Sequence, residues 1–423
     1  MLLEKPGRQN VKRRVVVTGV GLVTPLGTGV EKNWQALING QCGIGPITKF
    51  DAEDLATKIA GEVLDFDPTD FMAAKDAKRV GTFIQYCLAA ADMAMEMAGL
   101  TIDEALSTRT GVSVGSGLGG LELLERNHDI LKKSGPRRIS PFFIPGMISN
   151  LAPGNISMRY NAKGPNLSVV TACATGSHSV GEGFKIIQRH DAEVMITGGT
   201  ESAVTALSVA GFNAMKALST RNDQPEKASR PFDADRDGFV MAEGAGILIL
   251  EELEFARRRG APILAEMIGY GASADAFHVA APAPEGEGAA RAIQAAIDDA
   301  GLPKEAYGYV NAHGTSTYFN DLYETRAIRK VFADHADKLL VSSSKSMTGH
   351  MLGGTGAVEA AITVLSLNRG MVHPTINLEN QDELCDLNYV PNQAVKVSLE
   401  AAISNSFGFG GTNACLAFSR YQD

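Results

Sequence analysis

The sequence predicts an α/β fold made of two duplicated halves rich in βαβ units. A β-branched run that ends in glycines, RRVVVTGVGLVTPLG, returns near residue 263 as ILAEMIGYGASAD. A second pair, NLSVVTACATGSHSVGEGFKIIQ and LLVSSSKSMTGHMLGGTGAVEAAITVLSL, repeats the order of a strand, a turn with reactive residue types and a helix of small residues. Alternating strands and helices are typical of parallel sheets, which need helices on both faces. We therefore predict two halves of similar layout, residues 1–260 and 261–423.

Apolar runs bounded by glycine or polar residues predict the individual strands in chain order. The first half starts with VVVTGVGLV, continues with Gly111–Val114 and Leu167–Val170, and closes with GAGILILEE. The second half starts within ILAEMIGYGASAD, continues with Tyr307–Val310 and closes with NACLAFSRY. Ligands bind at the carboxyl ends of strands in such sheets. Residues that directly follow a strand are therefore the candidate functional residues.

Composition excludes several classes of protein. Hydrophobic residues make up 44% of the 423 residues, enough for a large core. No run approaches the roughly 18 apolar residues of a membrane-spanning helix, and Met1–Arg14 lacks the apolar region of a secretory signal. The net charge of -9 gives no general reason to bind nucleic acid. We expect a soluble cytoplasmic protein with neither membrane nor nucleic acid as partner.

Metal and dinucleotide sites are not predicted. Five scattered cysteines without a CxxC pair indicate neither a disulfide framework nor a zinc site. The GSGLGG run at residues 115–120 matches a dinucleotide pattern but lies far from the first βα turn of its half. The run DADRDG opens like a calcium loop, yet its twelfth position is Gly244, where a bidentate glutamate is required.

Cys173 is the first candidate for chemistry. It lies in TACATGS, between the apolar run Leu167–Val170 and a helix-like segment. Amides at a helix N-terminus favour a thiolate, so we expect a lowered pKa for this thiol. The amide of Cys173 could also face an oxyanion beside the sulfur. Taken alone, an inert buried cysteine is the commoner case.

Two histidines occupy comparable positions in the second half. His313 lies in NAHGTST after a strand, and His350 ends SKSMTGH, which also contains Lys345. A single histidine is at least as often a satisfied core residue as a functional one. The later run NSFGFGGTN is predicted to be too flexible for a regular element and to expose backbone amides. One cysteine and two histidines at strand ends of a duplicated chain together indicate a site.

In their order along nearly the whole chain, these motifs resemble the β-ketoacyl-acyl carrier protein synthases, most closely the type II elongating enzymes. The matches run from VVVTGVGLVTPLG through GPNLSVVTACATG, NAHGTST and SKSMTGH to NSFGFGGTN. The resemblance implies the thiolase fold, with five layers in the order αβαβα, and a homodimer. It implies acyl carrier protein as partner and malonyl and acyl thioesters as substrates. It implies no cofactor beyond the phosphopantetheine that arrives on the carrier protein, although some relatives hold a structural monovalent cation near the positions of Asn311, Glu359 and Asn405.

The resemblance also implies roles for single residues. Cys173 matches the acyl-accepting nucleophile, and His313 and His350 match the pair that binds the malonyl thioester carbonyl. Lys345 and Glu359 match the residues that support the histidines. Phe409 matches the gating residue whose amide, with that of Cys173, forms the oxyanion hole. Thr315 and Thr317 match residues that contact the phosphopantetheine arm, and Leu118 and Phe143 match residues at the acyl pocket near the dimer interface. The residues that match the carrier-protein docking surface are Lys75, Lys78, Arg79, Arg137 and Arg138.

The implied reaction is a decarboxylative Claisen condensation in fatty acid elongation. Cys173 takes an acyl chain, neutral histidines stabilise the enolate left when malonyl loses carbon dioxide, and the enolate attacks the acyl-cysteine.

Two departures from the family pattern affect residues expected to contact the phosphopantetheine arm of the thioester substrate. Tyr318 and Phe319 follow NAHGTST where the family usually has a proline, so we expect a less preorganised loop. Ala280 and Ala281 replace hydroxyl residues, so we expect fewer contacts to the arm.

The same residues leave four alternative functions open. A polyketide-type ketosynthase would use the same residues. A non-catalytic partner subunit of the chain-length-factor type normally lacks the cysteine at Cys173. A thiolase acting on coenzyme A usually has a second cysteine in place of His350. A cysteine hydrolase would need a third residue that orients a single base, which is not evident.

Overall fold

The computed structural model describes residues 12–422. Most of the segment Met1–Arg14 therefore lies outside the described residues. Within them, no helix combines the length and apolar character needed to cross a membrane. The strands are β1 Val15–Thr24, β2 Gly27–Thr28, β3 Gly45–Pro46, β4 Ile59–Ala60, β5 Thr110–Gly115, β6 Asn166–Leu167, β7 Val194–Glu201, β8 Gly244–Glu252, β9 Ala265–Ala274, β10 Tyr307–Asn311, β11 Leu340–Ser342, β12 Met371–Val372, β13 Val395–Lys396, β14 Ala401–Gly408 and β15 Thr412–Ser419.

The α-helices lie between these strands along the chain, with short 3-10 turns at several helix starts. They are α1 Val30–Ile38, α2 Ala74–Ala77, α3 Thr82–Ala98, α4 Glu104–Ser107, α5 Leu121–Ser134, α6 Phe143–Met147, α7 Leu151–Tyr160, α8 Thr175–Gln188, α9 Ala206–Ala214, α10 Leu253–Arg258, α11 Glu287–Ala300, α12 Tyr318–Phe332, α13 Lys345–Thr348 and α14 Thr355–Arg369.

The main sheet has the strand order β11-β10-β14-β15-β9-β1-β8-β7-β5-β6. Each half contributes five of these strands in one corresponding order, with β1 and β9 side by side in the middle. A short antiparallel ladder that starts at Val15 and Met267 joins them. Val15–Thr24 is buried at every position, which explains why its sequence is a continuous apolar run without alternation. The predicted duplicated α/β fold is confirmed.

The prediction of parallel sheets was wrong, because both halves are mixed. β5 pairs in parallel with β6 and β7, whereas β8 runs antiparallel to β7 and β1. In the second half β14 and β15 are antiparallel. Only Phe409–Gly411 separates these two strands, and a connection this short can join antiparallel neighbours only.

Helices cover the strands in five layers. α3 and α7 pack on the outside of the first half, and α11 packs on β9 and β15 of the second half, with α12 beside it. α8 and α14 lie between the halves, where each contacts strands of both. The order αβαβα follows from these contacts.

The two central helices approach each other through glycines. A Cβ on Gly176 would lie 2.5 Å from the backbone nitrogen of Ala357, and one on Gly356 would lie 2.7 Å from that of Ser177. Such distances leave no room for a side chain at either position. Each helix follows a 3-10 turn, Ala172–Ala174 before α8 and Leu352–Gly354 before α14. The close crossing brings these two turns, one from each half, to the same place.

Two local predictions were wrong. The strand predicted at Leu167–Val170 is limited to Asn166–Leu167, which is the edge strand of the sheet. Leu167 and Val170 are exposed there, so burial does not extend the strand. The run NSFGFGGTN is largely regular, since its first four residues end β14 and its last two begin β15. Its register is set by pairs such as Asn405 with Cys415.

Candidate active site

One cavity of about 450 Å³ collects the predicted reactive side chains. Cys173, His313 and His350 lie at its buried end, with exposed fractions of 8%, 3% and 2%. Phe409 from the β14–β15 turn also lines it, as do Thr315 and Thr317. The sequence-predicted cysteine and histidines therefore face one common space, although they come from different halves of the chain.

The 3-10 turn before α8 presents Cys173 to the cavity. Ala172 has a positive φ of 49°, which bends the chain sharply just before the cysteine. Burial raises the pKa of Cys173 to about 11, although Lys345 and the amide of Phe409 act in the opposite direction. The predicted lowering of this thiol pKa was therefore wrong, because desolvation outweighs the effects that favour a thiolate.

The amide of Phe409 contacts the sulfur of Cys173. The turn that carries this amide is held against the cysteine turn, since Thr412 Oγ1 donates to the carbonyl of Thr171 at 3.1 Å. Thr171 Oγ1 in turn lies 2.7 Å from Nδ1 of His178. These contacts help to hold the backbone N–H of Phe409 beside the Cys173 sulfur, which is the arrangement an oxyanion hole requires.

His313 and His350 meet edge to face, with ring centroids 5.4 Å apart. Nδ1 of His350 lies 3.0 Å from Thr355 Oγ1, whereas His350 Nε2 is buried and has no partner among residues 12–422. Burial, and then the charge of Lys345, hold the pKa of both rings well below the usual histidine value, and His350 adds to this effect on His313. Both rings are therefore neutral near pH 7 and can donate a hydrogen bond without carrying charge.

Lys345 and Glu359 form a buried ion pair behind the histidines. Lys345 Nζ lies 2.6 Å from Glu359 Oε1, and Ser344 Oγ donates to the same oxygen at 3.1 Å. Burial raises the pKa of Glu359 to about 7, against the opposing effect of Lys345. Burial and the positive charge of Lys345 together lower the pKa of both rings.

Glu324 was missed by the sequence analysis. It is buried on α12, where Oε1 accepts from the backbone N–H of His313 and Oε2 from that of Gly314, both at 2.8 Å. Asn405 Nδ2 also donates to Oε1 at 3.1 Å. Burial raises the pKa of this carboxyl to about 7. Glu324 thus fixes the backbone that carries His313, a role for which its helical sequence context gives no signal.

Other predicted residues lie outside this cavity. Leu118 and Phe143 do not line it, and Leu118 is exposed. The five basic residues predicted to dock a carrier protein are all exposed. The Arg79 guanidinium lies over the ring of Phe142 at 4.9 Å, which brings their two chain segments together on one surface. These residues are Lys75, Lys78, Arg79, Arg137 and Arg138.

The departures from the family pattern also lie at the cavity. Tyr318 is the first residue of α12, and Tyr318, Phe319, Ala280 and Ala281 all line the opening. Arg236 donates to the carbonyls of Thr317 at 3.4 Å and Tyr318 at 3.1 Å. Arg236 is itself buried and paired with Asp382 at 2.8 Å. The segment that lacks the proline is therefore held by a buried guanidinium.

Five layers from two similar halves, with one cysteine and two histidines at a shared cavity, define the class of thiolase-like proteins. The family follows from comparison with known proteins. Residues 12–256 match the N-terminal domain of beta-ketoacyl synthase, and residues 264–379 match its C-terminal domain. The chain belongs to the beta-ketoacyl synthase family.

Individual relatives agree with this assignment. Over 412 residues the chain is 53% identical to 3-oxoacyl-[acyl-carrier-protein] synthase 2 of Coxiella burnetii, a match that covers 97% of this chain and 100% of that protein. A beta-ketoacyl synthase from Burkholderia phymatum has a similar structure, with a TM-score of 0.90 at 36% identity over 97% of this chain and 100% of that one. A type II polyketide ketosynthase in complex with its acyl-carrier protein has a TM-score of 0.89 at 32% identity, again over 97% and 100%.

Proposed function

We propose that this chain catalyses the decarboxylative condensation of malonyl-acyl carrier protein with an acyl chain held on Cys173, giving a 3-oxoacyl-acyl carrier protein in fatty acid elongation. The observation that carries the proposal is the meeting of Cys173, two neutral histidines and the Phe409 amide at one cavity. The relative at 53% identity bears the name of a synthase of this kind.

In the first half-reaction Cys173 attacks the thioester carbonyl of an acyl chain carried by acyl carrier protein. The C–S bond to the carrier breaks as the C–S bond to Cys173 forms, and the cysteine proton leaves with the carrier thiol. The amides of Phe409 and Cys173 stabilise the oxyanion of the tetrahedral intermediate. Since burial keeps the thiol largely protonated in the resting site, loss of this proton has to accompany attack.

In the second half-reaction malonyl loses carbon dioxide. The electron pair of the broken C–C bond forms an enolate. His313 and His350, as neutral donors, stabilise this enolate by hydrogen bonds to the thioester oxygen. The enolate carbon attacks the acyl-cysteine, and the Cys173 sulfur leaves and takes up a proton. Lys345 contributes by keeping both rings neutral, and Glu324 by holding the His313 backbone.

Acyl carrier protein is the proposed partner, and the exposed basic surface of Lys75, Lys78, Arg79, Arg137 and Arg138 its docking site. Opposite charges on the two proteins would speed association and make it depend on salt. One structurally similar ketosynthase was solved with its own acyl-carrier protein. We also propose a homodimer in the cytoplasm and retain the boundary between halves near residue 260, between α10 and β9.

The homodimer proposal is supported by an exposed apolar region beside the sheet edge. β6 ends the sheet, and an unpaired edge strand favours pairing with another chain. Sedimentation velocity would show a species of twice the chain mass if the proposal is correct. Exposed apolar side chains in the stretch from the end of β5 to just after β6 include Leu118, Ile144, Met158, Leu167 and Val170.

A structural monovalent cation fits residues behind the site. Asn311 Oδ1, Glu359 Oε2 and Asn405 Oδ1 are buried and have no hydrogen-bond partner among the described residues. Carboxylate and amide oxygens are ligands for hard cations. Bound there, the ion would be held by these oxygens and would link β10 and β14 to α14. Higher thermal stability in potassium or sodium chloride than in choline chloride at equal ionic strength would support the site.

The decisive experiment is intact-mass analysis after mixing the protein with a C12 to C16 acyl-acyl carrier protein. We expect an acyl adduct on the unchanged protein and on a Cys42→Ser control, and none on Cys173→Ser. Cys42 is a suitable control because it is the least buried of the other cysteines. A folded protein that forms no adduct would exclude the proposed function.

A further inference from the structure

We propose that Tyr318 and Phe319 form an aromatic rim that holds the pantetheine arm of the thioester substrate by apolar packing, in place of hydroxyl hydrogen bonds. This inference rests on the proposed function and adds a specificity determinant to it. The rim is defined as these two residues.

The cavity runs from a buried end to an exposed opening, and one stretch of chain follows it throughout. His313 and Thr315 are 3% and 6% exposed, Thr317 is half-buried, and Tyr318 and Phe319 are 51% and 53% exposed. All five residues line the cavity. A ligand that reaches Cys173 from outside therefore passes the rim before it reaches the threonines.

One part of the cavity wall is formed by Ala280 and Ala281, which offer methyl groups and no hydrogen-bonding side chain. Their backbone amides are already used, since both donate to Nδ1 of His278, at 3.1 and 3.0 Å. A ligand at this part of the wall can gain free energy there mainly by apolar contact.

Two threonine hydroxyls and two carbonyls on the rim side are also engaged. The hydroxyls of Thr315 and Thr317 lie 2.9 Å apart, and the carbonyls of Thr317 and Tyr318 accept from Arg236. Hydrogen bonds formed with the ligand by these groups have to compete with existing ones. Such an exchange yields little net free energy.

The rim is rigid before any ligand arrives. The Arg236 guanidinium lies over the Tyr318 ring at 5.2 Å, and Tyr318 meets Phe319 edge to face at 5.2 Å. Phe319 also contacts the ring of Tyr323 at 5.8 Å. Because these contacts fix the side chains, little conformational entropy is lost on binding.

Pantetheine matches such an opening. Its outer, pantoyl end carries two methyl groups on a quaternary carbon, whereas its inner end next to sulfur is a short polar amide chain. N-acetylcysteamine reproduces only the inner end. Apolar packing at the opening should therefore strengthen the binding of malonyl-pantetheine but not that of malonyl-N-acetylcysteamine. Groups near Cys173 should contact both thioesters in the same way.

The test measures condensation with both thioesters on enzyme pre-acylated at Cys173. For the Tyr318→Ala/Phe319→Ala double variant we expect the KM for malonyl-pantetheine to rise about tenfold, with kcat and the KM for malonyl-N-acetylcysteamine unchanged. A Phe319→Leu variant, which keeps a large apolar side chain at this position, should have a KM for malonyl-pantetheine close to that of the unchanged protein. Phe277→Ala is the matched control, since Phe277 is 59% exposed near the opening and does not line the cavity.

Three results would overturn the inference. An unchanged KM for malonyl-pantetheine in the double variant would show that the rim does not bind the arm. An equal rise for both thioesters would show a general distortion of the site. An unchanged protein that condenses neither thioester nor malonyl-acyl carrier protein would remove the proposed function and the inference with it.

Discussion

The ammonium of Lys345 lies 2.6 Å from Oε1 of Glu359, with both side chains at most 1% exposed. This pair sets the charge that His313 and His350 experience, since Lys345 lowers the pKa of both rings. Together with burial, the Lys345 cation favours the neutral form of both imidazoles.

Replacing Lys345 by methionine should make decarboxylation sensitive to mild acid. The histidine pKa values rise when the neighbouring cation is removed, although burial still lowers them, so in mild acid the variant loses more of the neutral form than the unchanged protein does. The unchanged protein should keep its rate there. The measurement is the rate of carbon dioxide release from malonyl-acyl carrier protein against pH. The control is Lys338→Met, which replaces an exposed lysine of the same half. The same dependence of the decarboxylation rate on pH in all three proteins would contradict the prediction.

The two half-reactions should respond differently to loss of one histidine. His350→Ala removes a donor to the thioester oxygen and should reduce decarboxylation by about 10²- to 10³-fold, the usual effect of one oxyanion-stabilising donor. Self-acylation should fall much less, because it depends on Cys173 and the Phe409 amide. Adduct mass and carbon dioxide release measure the two reactions separately. Cys173→Ala should abolish condensation altogether, and an equal loss of both activities in His350→Ala would contradict the assigned roles.

Glu324→Gln should weaken the support of His313. A glutamine offers one acceptor oxygen, so one of the two backbone N–H groups of His313 and Gly314 loses its partner. A buried donor without a partner costs about 1–3 kcal/mol. We expect a loss of that size in the free energy of unfolding by urea, and a larger fall in decarboxylation than in self-acylation. Glu305→Gln, at an exposed position, should change neither.

Gly176→Ala should destabilise the centre of the molecule. The added methyl would meet the Ala357 backbone nitrogen at 2.5 Å, and overpacking of this kind typically costs about 1–3 kcal/mol. Gly211 on α9 is the matched control, because a Cβ there meets nothing within 4 Å. Gly211→Ala should be neutral or stabilising by up to about 1 kcal/mol. The measurement is the free energy of unfolding of both variants in urea. Equal values for Gly176→Ala and Gly211→Ala would show that α8 and α14 can move apart without loss of stability.

Charge reversal on the basic surface should weaken carrier-protein substrates selectively. The double variant Lys78→Glu/Arg138→Glu should raise the KM for malonyl-acyl carrier protein at low salt and leave that for malonyl-pantetheine unchanged. The difference should shrink as ionic strength rises, since surface charges are screened within about 8–10 Å at 0.10–0.15 M salt. A similar KM change for the carrier-free thioester would contradict a docking role.

Sequence reasoning singled out Cys173, His313, His350 and Lys345 because their residue types are distinctive and their motifs follow apolar runs. Glu324 has no such mark, since a glutamate on a helix looks the same in sequence whether it is buried like Glu324 or exposed like Glu305. The raised pKa of Cys173 was also out of reach. It depends on desolvation by both halves, which exists only after the chain has packed.

The antiparallel strands were missed for a related reason. Glycines at Phe409–Gly411 indicated flexibility, whereas in the structure they let two long strands turn back within three residues. Gly410 and Gly411 both have positive φ, at 84° and 71°. The pattern therefore located a turn correctly and gave no information about the strands that it connects.

The paired turns before α8 and α14 explain why the proposed nucleophile has no counterpart in the second half. Counting from each helix start, the position that holds Cys173 in the first half holds Gly353 in the second. A Cβ at Gly353 would collide with the backbone nitrogen of Gly117 and lie 2.8 Å from Glu201 Oε2. The second copy of the turn has thus been filled by the chain of the first, so a cysteine at position 353 would have no space for its side chain. Under the proposed function the two copies are mutually dependent, because the first carries the acyl chain on Cys173 and the second supplies the histidine donors that act on the malonyl thioester.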